Sequence, residues 1–151
     1  MITESAEETR RLGRRLGDWV RGGEVLLLRG PLGAGKSELV RGLAEGLGVT
    51  ERVTSPSFTI LNVYENGRLP LYHFDWYRIN DPEELYEIGA QDYLRGPGVA
   101  AVEWPEQAEE VAPETCLEIV LRPLDEERRE IRMIPRGGFG PLPPELETGE
   151  T

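Results

Sequence analysis

Between the apolar run EVLLLR (24–29) and an amphipathic stretch carrying Leu39, Val40, Leu43 and Leu47 lies Gly30-Pro31-Leu32-Gly33-Ala34-Gly35-Lys36-Ser37. This segment satisfies G-x-x-x-x-G-K-[ST] at every fixed position, and its setting of strand, glycine loop and helix restricts the fold more than anything else in the chain. Glycines let successive backbone N–H groups turn toward one centre and form an anion nest. The helix that follows aims its positive N-terminal end at the same point. In such a loop Lys36 bridges the β- and γ-phosphates as a point charge, and Ser37 offers its hydroxyl to Mg²⁺. With glycine averaging about 7 %, a chance match in a chain this long is on the order of one per cent.

Other glycine-loop readings fail on particular residues. A dinucleotide fingerprint needs glycine at 38 after Gly33 and Gly35, and Glu38 stands there. Guanine is usually read by an Asn-Lys-x-Asp segment, which cannot exist where Lys36 is the single lysine. Adenine is the default base. The bases are sixteen arginines and that one lysine, so position 36 demands a compact ammonium that a planar guanidinium cannot replace. The formal net charge of −11 repels phosphate backbones, so any contact with nucleic acid belongs to a more basic partner. One cysteine, Cys116, and one histidine, His73, exclude a disulfide framework and speak against a Cys/His zinc site. No apolar run approaches about 18 residues, and MITESAEETRRLG lacks the apolar core of a secretion signal. A reduced, cytoplasmic protein with no membrane attachment is the expectation.

The periodicities complete an α/β pattern. Residues 4–21 place Leu12, Leu16, Trp19 and Val20 on one helical stripe, with Ser5 and Glu8 as a capping box. FTILNVY (58–64) and LPLYHFDWYR (69–78) read as strands around Asn66-Gly67, a hairpin signal. Asp81-Pro82 starts a helix over about 82–88, VAAVEW (99–104) is a buried strand, and 115–122 with 128–134 form a second hairpin. The fold class expected is a three-layer P-loop NTPase-like α/β domain over residues 1–135, with a mixed, partly parallel central sheet. RGGFGPLPPELETGET (136–151) is rich in Gly, Pro and Glu and reads as a disordered tail.

Phosphate chemistry needs acids as well. Alternation puts Leu71, His73, Asp75 and Tyr77 on one strand face, so Asp75 is an acid within an apolar strand. Glu103 ends VAAVE, where α/β sheets present strand ends to ligands. Asp75 is expected as a direct or outer-sphere Mg²⁺ ligand, and Glu103 as a second metal contact or the residue that orients water; the pattern does not divide these roles. His73 reads as a structural histidine, since no G-x-S-x-G elbow accompanies it. Thr54-Ser55-Pro56-Ser57, by composition, is a rigid turn.

Together these residues resemble the TsaE (YjeE) family of small ATPases of bacterial tRNA threonylcarbamoyladenosine synthesis. The likeness spans about residues 5–134 and rests on Thr9-x-x-Leu12-Gly13, GPLGAGKS, VTSPSF (53–58), HFDWYR (73–78), DPEEL (81–85) and VEWPE (102–106). It implies a weak ATPase, monomeric alone, that assists the proteins TsaD and TsaB and meets tRNA only through them. It implies ATP and Mg²⁺ as cofactors, with Lys36, Asp75 and Glu103 catalytic and Ser37, Asp75 and Glu103 serving the metal. Ser5, Thr9, Pro31, Leu32, Gly33, Ala34, Gly35, Lys36, Ser37, Glu38 and Arg129 form the nucleotide-binding set, Ser5 and Arg129 on the adenosine side. Thr54, Ser55, Pro56 and Ser57 become a switch-like loop, and Trp104 packs near the active site or a partner. Pro31 departs from a frequent aspartate, Ser37 and Ser57 replace threonines with the hydroxyl kept, and Trp76 replaces leucine. A P-loop kinase of a small metabolite and a non-hydrolysing nucleotide sensor are the rival readings.

Overall fold

A strand buried on both faces must lie inside a sheet covered on both sides, and EVLLLR does. The structure, a computed structural model, describes residues 1–147. In chain order the strands are β1 (Ile2–Thr3), β2 (Val25–Arg29), β3 (Leu61–Tyr64), β4 (Leu71–Asp75), β5 (Val99–Glu103), β6 (Cys116–Pro123) and β7 (Arg129–Arg136). The helices are α1 (Ala6–Trp19), α2 (Lys36–Gly46), α3 (Glu83–Glu87) and α4 (Ala90–Leu94), with 3₁₀ turns at Pro105–Val111 and Pro144–Leu146. One sheet of seven strands runs β1-β7-β6-β2-β5-β4-β3. Its centre, β6-β2-β5-β4, is parallel, and antiparallel partners close both edges. The mixed, partly parallel sheet is as the sequence reads.

Period-2 alternation assigns the two faces. Leu26, Leu28, Leu71, Val99, Ala101, Leu117 and Ile119 pack under α1 and α2. Val25, Leu27, Tyr72, Phe74, Ala100 and Val102 face the thinner layer of α3, α4 and the 105–111 turn, together with the fully buried Trp76.

The α1–α2 contact is built on glycine. A Cβ on Gly13, Gly17, Gly42 or Gly46 would run into the backbone carbonyl oxygen of Leu39, Leu43, Arg10 or Arg14 respectively. The two helices therefore approach backbone to backbone, and α1 is held against the helix that carries the phosphate loop. Gly42→Ala is expected to destabilise by about 1–3 kcal/mol through overpacking, outweighing the roughly 1 kcal/mol that alanine contributes in a free helix. A thermal melt checks this; an unchanged or higher midpoint contradicts it.

Two expectations change, and α4, the 105–111 turn and β1 are elements the sequence reading did not include. The strand read at 58–64 begins only at Leu61, because Ile60 takes a positive φ of 70° and its N–H returns to Pro56 O. The helix read at about 82–88 is α3, Glu83–Glu87, and beyond Gly89, whose φ of 75° reverses the chain, α4 is an added helix that the sequence reading did not include. The 3₁₀ turn after Trp104 and the edge strand β1 carry no periodic signal. The second changed expectation concerns the segment 136–151 read as a tail. β7 runs on to Arg136, Phe139 rests 6.0 Å from the Trp19 ring, and Leu142 and Leu146 are buried in the α1–α2 core. Two leucines fill a hydrophobic gap that composition cannot reveal; residues 148–151 lie outside the described residues. With Leu146 at 0 % exposure, Leu146→Ala is expected to cost about 2–4 kcal/mol. Urea unfolding measures it, and a loss below 0.5 kcal/mol (about the size of a surface change) contradicts that packing.

Candidate functional site

The loop between β2 and α2 turns twice through the left-handed region, at Gly33 (φ 80°) and Gly35 (φ 102°), conformations that glycine takes without a Cβ penalty. Gly35 is the residue before the first turn of α2, so Lys36 and Ser37 open the helix. Pro31 O accepts the Ala34 N–H at 3.1 Å, which makes the early loop a tight turn despite the missing donor of Pro31. Leu32 projects outward, 89 % exposed. Ser37 is also exposed, its hydroxyl at the helix mouth.

Lys36 is the opposite: 5 % exposed, with Nζ donating to Gly30 O at 2.7 Å and lying 3.6 Å from the centre of the Trp104 ring. Burial pushes its ammonium below the ordinary lysine range, while Glu103, Glu106 and Asp75 push it back up. A nucleotide's phosphates would replace the carbonyl and the ring as its partner. Trp104 holds its ring there from a left-handed backbone, φ 58° and ψ 48°, a conformation costing a non-glycine residue of order 1–3 kcal/mol. Tyr77 packs against Trp104 with the rings tilted by 54° and their centres 4.9 Å apart.

Register brings the acids together. Leu28 pairs with Glu103, and Glu103 with Asp75, across three neighbouring strand ends. All three project to the α2 face, beside the loop. Asp75 accepts the Tyr77 N–H on Oδ1 at 2.9 Å, and Ser57 Oγ lies 3.5 Å from Oδ2. Glu103 Oε2 lies 2.7 Å from His73 Nε2. Asp75, Tyr77, Ser57, Arg78, Leu32 and Trp104 line a cavity of about 250 Å³ at this end of the loop.

Hard oxygen donors of this kind suit Mg²⁺, which is usually held by one or two carboxylates and the substrate's phosphates. Among the described residues no three His, Cys, Asp or Glu side chains form a self-sufficient cage. Asp75 and Glu103 supply carboxylates of that kind on adjacent strand ends, and Ser37 supplies a hydroxyl at the start of α2.

The 54–57 loop is tied at both ends. Thr54 N–H donates to the Tyr64 hydroxyl at 3.1 Å, Asn62 Nδ2 donates to Thr54 O at 3.2 Å, and Ser55 and Ser57 share a 2.7 Å hydroxyl bond. Ser57 thus connects the loop to Asp75. Phe58 stands 84 % exposed under the Arg78 guanidinium. A larger hollow of about 690 Å³ lies along α2 and residues 49–55 and holds neither Asp75 nor Glu103.

On the other flank, Ala6, Thr9, Gly35, Glu38, Glu126, Glu127 and Arg129 line a cavity of about 290 Å³. Arg129 reaches the loop itself, donating to Gly33 O at 3.1 Å. Three of these lining residues, Glu38, Glu126 and Glu127, are acids. Glu38 already receives Arg10 and Arg41, at 3.1 and 2.7 Å. Ser5 is not among the lining residues: its hydroxyl accepts the Glu8 N–H at 3.2 Å and caps α1. Thr9 hydroxyl meets that of Thr3 at 2.7 Å.

Arg29 was not foreseen. It donates to Glu118 at 2.6 Å and to Glu109 at 2.6 and 3.0 Å, clamping the turn that follows Trp104 to the strand that enters the loop. A charge ending an apolar run was its one sequence signal.

Residues 3–131 match the family described as Threonylcarbamoyl adenosine biosynthesis protein TsaE. The chain belongs to the TsaE family. It is 45 % identical over 130 residues to a Treponema pallidum protein named tRNA threonylcarbamoyladenosine biosynthesis protein TsaE, covering 86 % of this chain and 96 % of that one. A Bacillus subtilis protein of the same name is 43 % identical, covering 85 % and 80 %. The crystal structure of Bacillus subtilis YdiB superposes with a TM-score of 0.75 at 38 % identity, over 91 % of this chain and 84 % of that one. The TsaE match takes in the glycine loop, both acids, the 54–57 loop and Arg129. Among the described residues no helix is long and apolar enough to cross a membrane.

Proposed function

We propose that this TsaE-family chain is a cytoplasmic, monomeric ATP-binding protein and weak ATPase that assists TsaD and TsaB in forming N6-threonylcarbamoyladenosine in tRNA. The observation that carries it is the glycine loop with its buried Lys36 beside two acids, Asp75 and Glu103, that are register partners on adjacent strand ends. Gly33 and Gly35 bind through backbone N–H groups, Ala34 joins them once its N–H leaves Pro31 O, and Lys36 leaves Gly30 and Trp104 for the β- and γ-phosphates. Gly35, Thr9 and Arg129 bound the nucleoside side. A Mg²⁺ held by Ser37, Asp75 and Glu103 would neutralise charge on the β- and γ-oxygens. Glu103 or Asp75 orients the attacking water, and Ser57 carries the state of the 54–57 loop to Asp75. The net charge of −11 supports leaving tRNA to the partners.

Phosphate release measured alone, then with TsaD, TsaB and tRNA, tests this. Slow release alone and faster release with partners is expected. ADP formation that depends on an added small acceptor, which keeps the phosphoryl group in place of free phosphate, makes it a kinase, and ATP binding without ADP formation under any condition makes it a sensor.

A further inference from the structure

His73 is 2 % exposed on the same face of β4 as Asp75, and its two ring nitrogens are treated unequally. Nε2 lies 2.7 Å from Glu103 Oε2. Nδ1 is buried with no hydrogen-bond partner among the described residues. A residue there only for packing would be apolar, because an unsatisfied buried nitrogen costs about 1–3 kcal/mol. The bare Nδ1 favours the tautomer with its hydrogen on Nε2, donated to Glu103, since a hydrogen on Nδ1 would have no acceptor among the described residues.

We propose that His73 is a positioning residue whose Nε2–H fixes Glu103 Oε2, so that the other carboxylate oxygen faces the phosphate side. The inference rests on Glu103 acting as a metal or water contact. Glu103 has one strong competitor for its charge, the ammonium of Lys36, which already feels Glu103 before any other acid. Anchored by His73, Glu103 is held from folding onto Lys36, and Lys36 stays free to exchange Gly30 O for phosphate. The strand register explains the reach. His73 pairs with Ala101 and Asp75 with Glu103, so the imidazole stands one same-face position behind the acid and bonds it diagonally.

Variants of graded reach test this. His73→Gln carries an amide N–H to about where Nε2 stands, His73→Asn stops one bond short, and His73→Ala donates nothing. Each is measured for thermal stability, for metal-free ATP affinity by calorimetry, for Mn²⁺ affinity with saturating ADP by electron paramagnetic resonance, and for phosphate release with partners. Metal-free ATP affinity is expected within about threefold throughout. Mn²⁺ affinity and turnover are expected to fall about 10–100-fold in His73→Asn and His73→Ala, as for other groups that orient a ligating residue. His73→Gln is expected within about fivefold of the parent protein. Should alanine unfold the chain, the Gln and Asn pair decides alone. Asn matching Gln in both readouts, whether both keep or both lose function, overturns the proposal. If the parent protein binds ATP yet releases no phosphate, the hydrolysis reading fails, while the order of Mn²⁺ affinities still decides the role of His73.

Discussion

Lys36→Ala is expected to weaken ATP binding at least about 100-fold in a protein that still folds. Hydrogen bonds to charged groups contribute about 1.5–3 kcal/mol each, and Lys36 would make them to two phosphates; each 1.4 kcal/mol is a factor of about ten. The fold survives because the side chain's resting partners are few, Gly30 O at 2.7 Å and the Trp104 ring at 3.6 Å. Lys36→Arg is expected to fail as well. The space between that carbonyl and that ring holds a compact ammonium, and a planar guanidinium cannot turn within it. In a chain with sixteen arginines this is why one lysine persists. Calorimetry on the folded variants reads the effect, and ATP affinity within threefold of the parent contradicts it.

Asp75→Asn and Glu103→Gln are expected to separate binding from turnover. Both swaps keep shape: asparagine retains the oxygen that accepts the Tyr77 N–H, and glutamine retains an acceptor for His73. Each removes one negative charge beside the phosphate site. Metal-free ATP should therefore bind equally well or more tightly, since a like charge is gone. The gain in affinity on adding Mg²⁺ should shrink, and turnover should fall about 10²–10³-fold, the range for losing a group that orients a proton or stabilises charge in the transition state. Removing Glu103 also removes the acid that most supports the charge on Lys36, whose pKa burial already lowers. Full partner-stimulated hydrolysis in both variants contradicts the assignment.

What could be read in advance depended on whether a feature was local. The loop spacing, the strand before it and the helix after it are contiguous, so Gly33, Gly35, Lys36 and Ser37 fall where the pattern puts them. Asp75 and Glu103 were visible as acids at the ends of apolar runs. That they are register partners on adjacent strands was not, because strand order is a long-range property. The glycines at 13, 17, 42 and 46 look like weak points in two helices until the helices are placed against each other. Leu142 and Leu146 sit among prolines with no period to betray a core face. The capping of α1 by Ser5 was legible, and the same bond shows why its hydroxyl does not reach into the cavity beside Thr9. The contact of Lys36 with Trp104 depends on a positive φ at Trp104 that no propensity suggests.

Titration of the folded protein with ATP, with and without Mg²⁺, is the most direct measurement of all. One saturable site that tightens when Mg²⁺ is present is the predicted result; a folded protein that takes up no ATP at millimolar concentration contradicts it.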